Sequence, residues 1–128
     1  MTIEDSLISD NEALGNLGTA GGILNANADP SAVMITNTTI TGNEADLNGA
    51  GLVAGGSGKV TLRNATVADN TTVDATGGVG IHNTGGDVDL ENTIVADNVD
   101  QDTGALRTAV AAPTRRSATT STPRTRGP

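Results

Sequence analysis

Residues 60–70 read VTLRNATVADN, and residues 88–98 read VDLENTIVADN. Two earlier stretches fit the same template: MTIEDSLISDN (1–11) and VMITNTTITGN (33–43). The offsets between the four copies are 32, 27 and 28 residues. Each column keeps its chemistry. The first position is Met1, Val33, Val60 and Val88; the third is Ile3, Ile35, Leu62 and Leu90; the eighth is Ile8, Ile40, Val67 and Val95. The fifth is Asp5, Asn37, Asn64 and Asn92, and the last is Asn11, Asn43, Asn70 and Asn98. A second element recurs between the copies: GILNA (22–26), GLVAG (51–55) and GIHNT (80–84). Apolar and polar residues alternate along such a piece, as in Val60-Thr61-Leu62-Arg63. That is the pattern of a strand with one buried face.

Each period thus reads as three short strands bounded by Gly, Asn or Asp. One such unit cannot bury its apolar face alone, but stacked units can, each strand pairing with its counterpart one repeat later. The expected fold is therefore all-β: a parallel β-helix, or solenoid, of about three to four coils over residues 1–102. The general rule for parallel crossovers makes it right-handed. Like side chains would then lie about 4.8 Å apart down each column, and stacking of like shapes leaves few gaps. Val60 and Val88 must become neighbours, or the reading fails.

Composition agrees. The 128 residues include no Phe, Tyr, Trp or Cys, and seventeen are glycine. A chain without aromatic rings has only small aliphatic side chains for its interior, which suits a narrow one. The lack of cysteine excludes disulfides and thiolate metal sites. The asparagine columns fit the same geometry. Asn tolerates the left-handed backbone that sharp turns need, and stacked amides can bond to one another between coils. Ladders are expected at Asn37, Asn64 and Asn92, and at Asn11, Asn43, Asn70 and Asn98.

The stretch GGVGIHNTGGDVDLENTIVADN (77–98) resembles the repeat of bacterial right-handed parallel β-helix proteins. It is closest to the style GGGIxNxGGxLxLxNxTIxxN found in large surface proteins, including those with polymorphic outer-membrane-protein repeats. The resemblance covers residues 1 to about 102. It implies a non-enzymatic structural or adhesin-like segment of a secreted or cell-surface protein, with a polysaccharide or a host or cell-surface ligand as the candidate class of partner. The same coil also carries polysaccharide lyases and hydrolases, so a fragment or relic of a carbohydrate-active enzyme is the alternative. Such enzymes use adjacent aspartates, or an arginine with a calcium cluster. Neither is found here.

The chemical candidates are few. Asp87, Asp89 and Glu91 alternate on one strand and point outward, forming an acidic row with no second row beside it. Lys59 falls in the column of Asp87, and Arg63 in that of Glu91, so each is expected to pair with that carboxylate one coil away. His82, the only histidine, shares an outward column with Leu24 and Val53 and is expected at the surface. No catalytic, cofactor-binding or metal-ligating residue is assigned. The open ends of the stack offer edges for self-association.

Charge is unevenly divided. All fifteen acids lie at or before Asp102, where the only cations are Lys59 and Arg63, so that body carries −13 and the remainder, with five arginines, +5. An acidic body argues against nucleic acid as its partner. Residues 103–128 drop the repeat for a basic stretch rich in Thr, Ala, Arg and Pro, expected to be a disordered tail. A switch this abrupt reads either as a fragment with a shifted frame or as an ordinary linker. The opening stretch MTIEDSLISDN, with no basic start and no apolar run, is not expected to act as a signal peptide, and no segment has the length and apolarity of a membrane span.

Overall fold

The computed structural model describes residues 1–15, 18–27 and 32–106. Among them are sixteen short strands and no helix. The first turn holds β1 (Thr2–Glu4), β2 (Leu7–Ser9), β3 (Glu12–Ala13) and β4 (Ile23–Asn25). The second holds β5 (Val33–Thr36), β6 (Thr39–Thr41), β7 (Glu44–Ala45) and β8 (Leu52–Ala54). The third holds β9 (Val60–Arg63), β10 (Thr66–Ala68), β11 (Thr71–Thr72) and β12 (Ile81–Asn83). A partial fourth turn follows with β13 (Val88–Glu91), β14 (Ile94–Ala96), β15 (Val99–Asp100) and β16 (Ala105–Leu106).

Each strand pairs in parallel with its counterpart one turn later, and the register is the one read from the columns. Val33 lies opposite Val60 and Val60 opposite Val88; Ile35, Leu62 and Leu90 follow suit. Ile8, Ile40, Val67 and Val95 form a second row, and Ile23, Leu52 and Ile81 a third. The fold is a parallel β-solenoid of about three turns.

Four sheets build its wall, not three. Sheet A is β1-β5-β9-β13, sheet B is β2-β6-β10-β14, sheet C is β3-β7-β11-β15-β16, and sheet D is β4-β8-β12. The three strands per coil expected from sequence miss sheet C. Its parallel strands are only two residues long, too short for apolar alternation to show.

The interior is a single column of aliphatic side chains. Ile35, Ile40, Leu52, Val60, Leu62, Val67 and Ile81 are wholly inaccessible to solvent. Ile3 and Ile8 at one end, and Leu90 and Val95 at the other, are partly buried against the same cluster. A smaller second cluster of Ala45, Ala50, Ala75 and Val79 lies apart from it. It joins Ala45 of β7 to Ala50, Ala75 and Val79 of the connections from sheet C to sheet D, which pass over the outer face of sheet D, with Gly49 and Gly77 against His82.

Two corners per turn are made by left-handed residues. Between sheets A and B these are Asp5, Asn37, Asn64 and Asn92, with φ of 49°, 50°, 50° and 46°. Between sheets B and C they are Asp10, Gly42, Asp69 and Asp97, with φ of 57°, 65°, 55° and 51°. Asp, Asn and Gly are the residues that visit this region at least cost. The adjoining column of Asn11, Asn43, Asn70 and Asn98 is not left-handed, so its asparagines are there for another reason.

Past Asp100 the chain reverses, and β16 lies antiparallel to β15, with Val99 opposite Leu106 and Asp100 opposite Ala105. This strand lies beyond residue 102, where the sequence reading ended the solenoid. Residues 107–128, most of the expected tail, lie outside the described residues.

Candidate functional site

The polar side chains of the repeat gather in three places: the corner between sheets B and C, the corner between sheets A and B, and the outer face of sheet A. At the first, the amides of Asn11, Asn43, Asn70 and Asn98 form a continuous ladder. Asn11 Nδ2 donates to Asn43 Oδ1 at 2.9 Å, Asn43 Nδ2 to Asn70 Oδ1 at 2.9 Å, and Asn70 Nδ2 to Asn98 Oδ1 at 2.8 Å. The same oxygens accept the backbone N–H groups of Asn11, Asn43 and Asn70 at 3.2, 3.1 and 3.1 Å. Each Nδ2 also reaches main-chain carbonyls, as Asn70 does to Ile40 O at 3.1 Å and Ala68 O at 3.0 Å.

The physical need is clear. A parallel ladder of backbone hydrogen bonds breaks where the wall turns a corner, and a buried N–H left there is costly. The side-chain carbonyl of the next coil takes the place of the missing backbone acceptor. Asn43, Asn70 and Asn98 are wholly buried; the amides of Asn43 and Asn70 bond to both adjacent coils and to their own, and that of Asn98 to the preceding coil and its own. Glycine makes room for them. A Cβ on Gly51 would lie 2.5 Å from Gly80 O, 2.9 Å from Val67 Cγ1 and 3.1 Å from Asn70 Nδ2. Gly22 and Gly80 crowd Asn43 and Asn98 in the same way.

At the second corner the ladder of Asn37, Asn64 and Asn92 is exposed and runs the other way. Asn92 Nδ2 donates to Asn64 Oδ1 at 2.6 Å, Asn64 Nδ2 to Asn37 Oδ1 at 3.4 Å, and Asn37 Nδ2 to Asp5 Oδ1 at 3.1 Å. Asp5 therefore ends it as a pure acceptor. Both expected sets of asparagines are thus brought together, each with its own set and at a different corner. The left-handed column of Asp10, Gly42, Asp69 and Asp97 was not among the expectations from sequence. Its signal, an Asp or Gly just before each ladder asparagine, is present in the repeat.

On the outer face of sheet A, Arg63 Nε bonds Glu91 Oε2 at 2.7 Å, as the register predicts. Lys59 does not pair with Asp87. Its Nζ meets Asp89 Oδ2 at 2.5 Å. Lys59 is in line with Asp87, but the flexible lysine stem reaches diagonally to the next outward residue of the strand. Both cations are solvent-exposed and held in their charged forms: the hydrogen bond and charge of Asp89 raise the Lys59 pKa, and those of Glu91 raise that of Arg63. Asp87 stays exposed beside them.

His82 takes its place in the outward column with Val53 and Leu24, yet it is partly buried. Gly77 lies over its ring, so close that a Cβ there would come within 2.5 Å of Nδ1 and Cε1. The Gly78 N–H donates to His82 Nδ1 at 3.3 Å. Burial lowers the pKa from 6.5, and the Gly78 contact also favours the neutral ring. The expectation of a plain surface histidine missed this cover, because the fold-back of the connection over sheet D leaves no periodic mark in the sequence.

Comparison with protein-family models, with curated proteins and with solved structures finds no match to this chain. Among the described residues no three or more His, Cys, Asp or Glu side chains gather as a metal site, and no helix is long and apolar enough to cross a membrane. What the arrangement offers chemically is the outward faces of a hydrogen-bonded wall, with Leu7 and Ile94 also exposed on sheet B. Sheet A presents ion pairs at Lys59–Asp89 and Arg63–Glu91. Sheet B presents Thr39, Thr41 and Thr66, and the ridge beside it carries Asp10, Asp69 and Asp97.

Proposed function

We propose that this chain is a non-enzymatic β-helix segment of a secreted or cell-surface protein, serving as a rigid spacer and an adhesin-like binding surface. The observation that supports this reading is where the repeat directs its polar groups. The buried amides of Asn43, Asn70 and Asn98 are engaged with neighbouring coils, so the recurring polar chemistry holds the wall together. Lys59 and Arg63, the cations of the solenoid body, are occupied by carboxylates of the adjacent coil. The extracellular setting follows from the likeness of GGVGIHNTGGDVDLENTIVADN to the repeats of bacterial surface proteins.

Outer faces with hydroxyls on sheet B and paired charges on sheet A suit a polysaccharide partner. The excess of acid in residues 1–102 favours a neutral polymer over an acidic one. The test is to pass the purified chain over immobilised neutral and acidic polysaccharides, with and without calcium, and to follow polymer length in parallel. Retention on a neutral polymer whose length stays constant is expected. Shortening of any polymer would overturn the reading in favour of a carbohydrate-active enzyme.

A further inference from the structure

On sheets A and B the two ends of the solenoid match in register, sheet D stops at β12 one turn earlier, and the two ends differ in cover. The N-terminal end presents Ile3, Ile8 and Asn11, and the C-terminal end presents Leu90, Val95 and Asn98 in the same columns. The first coil of a second copy, set on the C-terminal end, would therefore meet on sheets A and B the partners that each coil already finds within the chain. Sheet C is different. There β16 occupies the edge of β15, in the place that β3 of a second copy would take. The reversal is held by the Gly104 N–H donating to Asp100 O at 2.8 Å and the Asp102 N–H to Asp100 Oδ1 at 3.2 Å, with Gly104 at φ 64°. Asn98, in the last coil, is wholly buried, whereas Asn11 at the opposite end of the ladder is exposed. The C-terminal end of the buried ladder is closed and the N-terminal end is not.

We propose that β16 is an edge guard: it keeps a second copy of this chain from adding head to tail onto the C-terminal end of the solenoid. Open sheet edges template the addition of further strands, and folds blunt them with very short edge strands or by covering the edge. A head-to-tail contact of this kind does not close on itself, so an unguarded end would grow into a linear series. One reversed strand is enough to prevent it. The four sheets of one coil are joined covalently, so a second copy that cannot seat on sheet C cannot seat on sheets A and B either.

The experiment uses the full chain with Gly104→Val and Leu106→Pro together. The first places a β-branched residue at a left-handed position with no side chain nearby, and the second puts a ring and no N–H into β16. Sedimentation velocity over a wide range of protein concentration is run in about 0.15 M salt, where charges are screened beyond about 8 Å. The unsubstituted chain should sediment as one copy, and the double variant as a series that lengthens with concentration. Adding Ile3→Lys, which puts a charge on the opposite docking end, should return the double variant to one copy. Far-UV circular dichroism must show the parent β signal in every chain, including Ile3→Lys alone. Leu106→Pro alone replaces the double variant if that one loses the signal. A folded variant that stays single, association that Ile3→Lys leaves intact, or association of the unsubstituted chain overturns the proposal. So does loss of the fold in both β16 variants, which would make β16 a stability element rather than a guard.

Discussion

Asn64 and Asn70 lie on the same coil and meet different surroundings. Asn64 is exposed, left-handed at φ 50°, and bonded to its neighbours through long and short contacts of 3.4 and 2.6 Å. Asn70 is wholly buried and accepts both the backbone and the side-chain N–H of Asn43. Removing the Asn70 amide strands those two donors and the carbonyls of Ile40 and Ala68. Each buried polar group left unpaired costs about 1–3 kcal/mol, and solvent cannot reach this corner without opening the wall. Asn70→Ala should therefore lower stability by roughly 3–5 kcal/mol. Asn64→Gly keeps the left-handed backbone free of strain and gives up only exposed side-chain bonds, so it should cost under about 1 kcal/mol. Urea unfolding followed by far-UV circular dichroism ranks the two. Equal losses would mean that the buried ladder carries no special weight.

At the scale of the strands, sequence and structure agree where a column is long enough to show its period. Val60 and Leu62, or Val88 and Leu90, alternate with polar neighbours over four residues, and the pairing of these columns was legible directly. The two-residue strands of sheet C were not, since Glu44-Ala45 or Thr71-Thr72 carries no period at all. The side-chain partner of Lys59 was misread for a different reason: register fixes which backbones face each other, whereas a long flexible side chain chooses among several carboxylates. The cover over His82 depends on how a loop folds back, which strand periodicity does not encode. The glycines that open sheet D belong with the legible part once the ladder is known. Gly22, Gly51 and Gly80 recur at a fixed place because a side chain there would collide with the next coil and with the ladder amides. Gly51→Ala should thus destabilise by about 1–3 kcal/mol through overpacking against Gly80 O and Val67. Gly55→Ala, whose added methyl would lie 3.3 Å from Asn25 O and 3.4 Å from Thr84 Oγ1, tight but without a collision, should cost less, under about 1 kcal/mol. Thermal melts of the two variants decide it, and a neutral Gly51→Ala would show that the coils can part without loss.

For the molecule as a whole, stability comes from contacts between successive coils, as in any stacked repeat. A middle coil has two neighbours and an end coil one. The burial pattern follows: Ile40 and Val67 are wholly inaccessible, while Ile8 and Val95, in the same row, are only partly buried. Local opening should accordingly start at the ends, where the fewest apolar contacts and inter-coil hydrogen bonds must break. The ends are not equivalent, however. At the C-terminal end β16 closes sheet C and Asn98 is covered; at the N-terminal end Asn11 is exposed and β1, β2 and β3 each have a partner on one side only. Amide hydrogen exchange at neutral pH should therefore be slowest in β6 and β10, faster in β14 and β15, and fastest in β1 and β2. The order can be read by mass spectrometry of peptides from the labelled chain, without perturbing any residue. Protection that is uniform from β1 to β15 would mean that the coils open as one cooperative unit, and protection highest in β1 and β2 would contradict the stacking energetics outright.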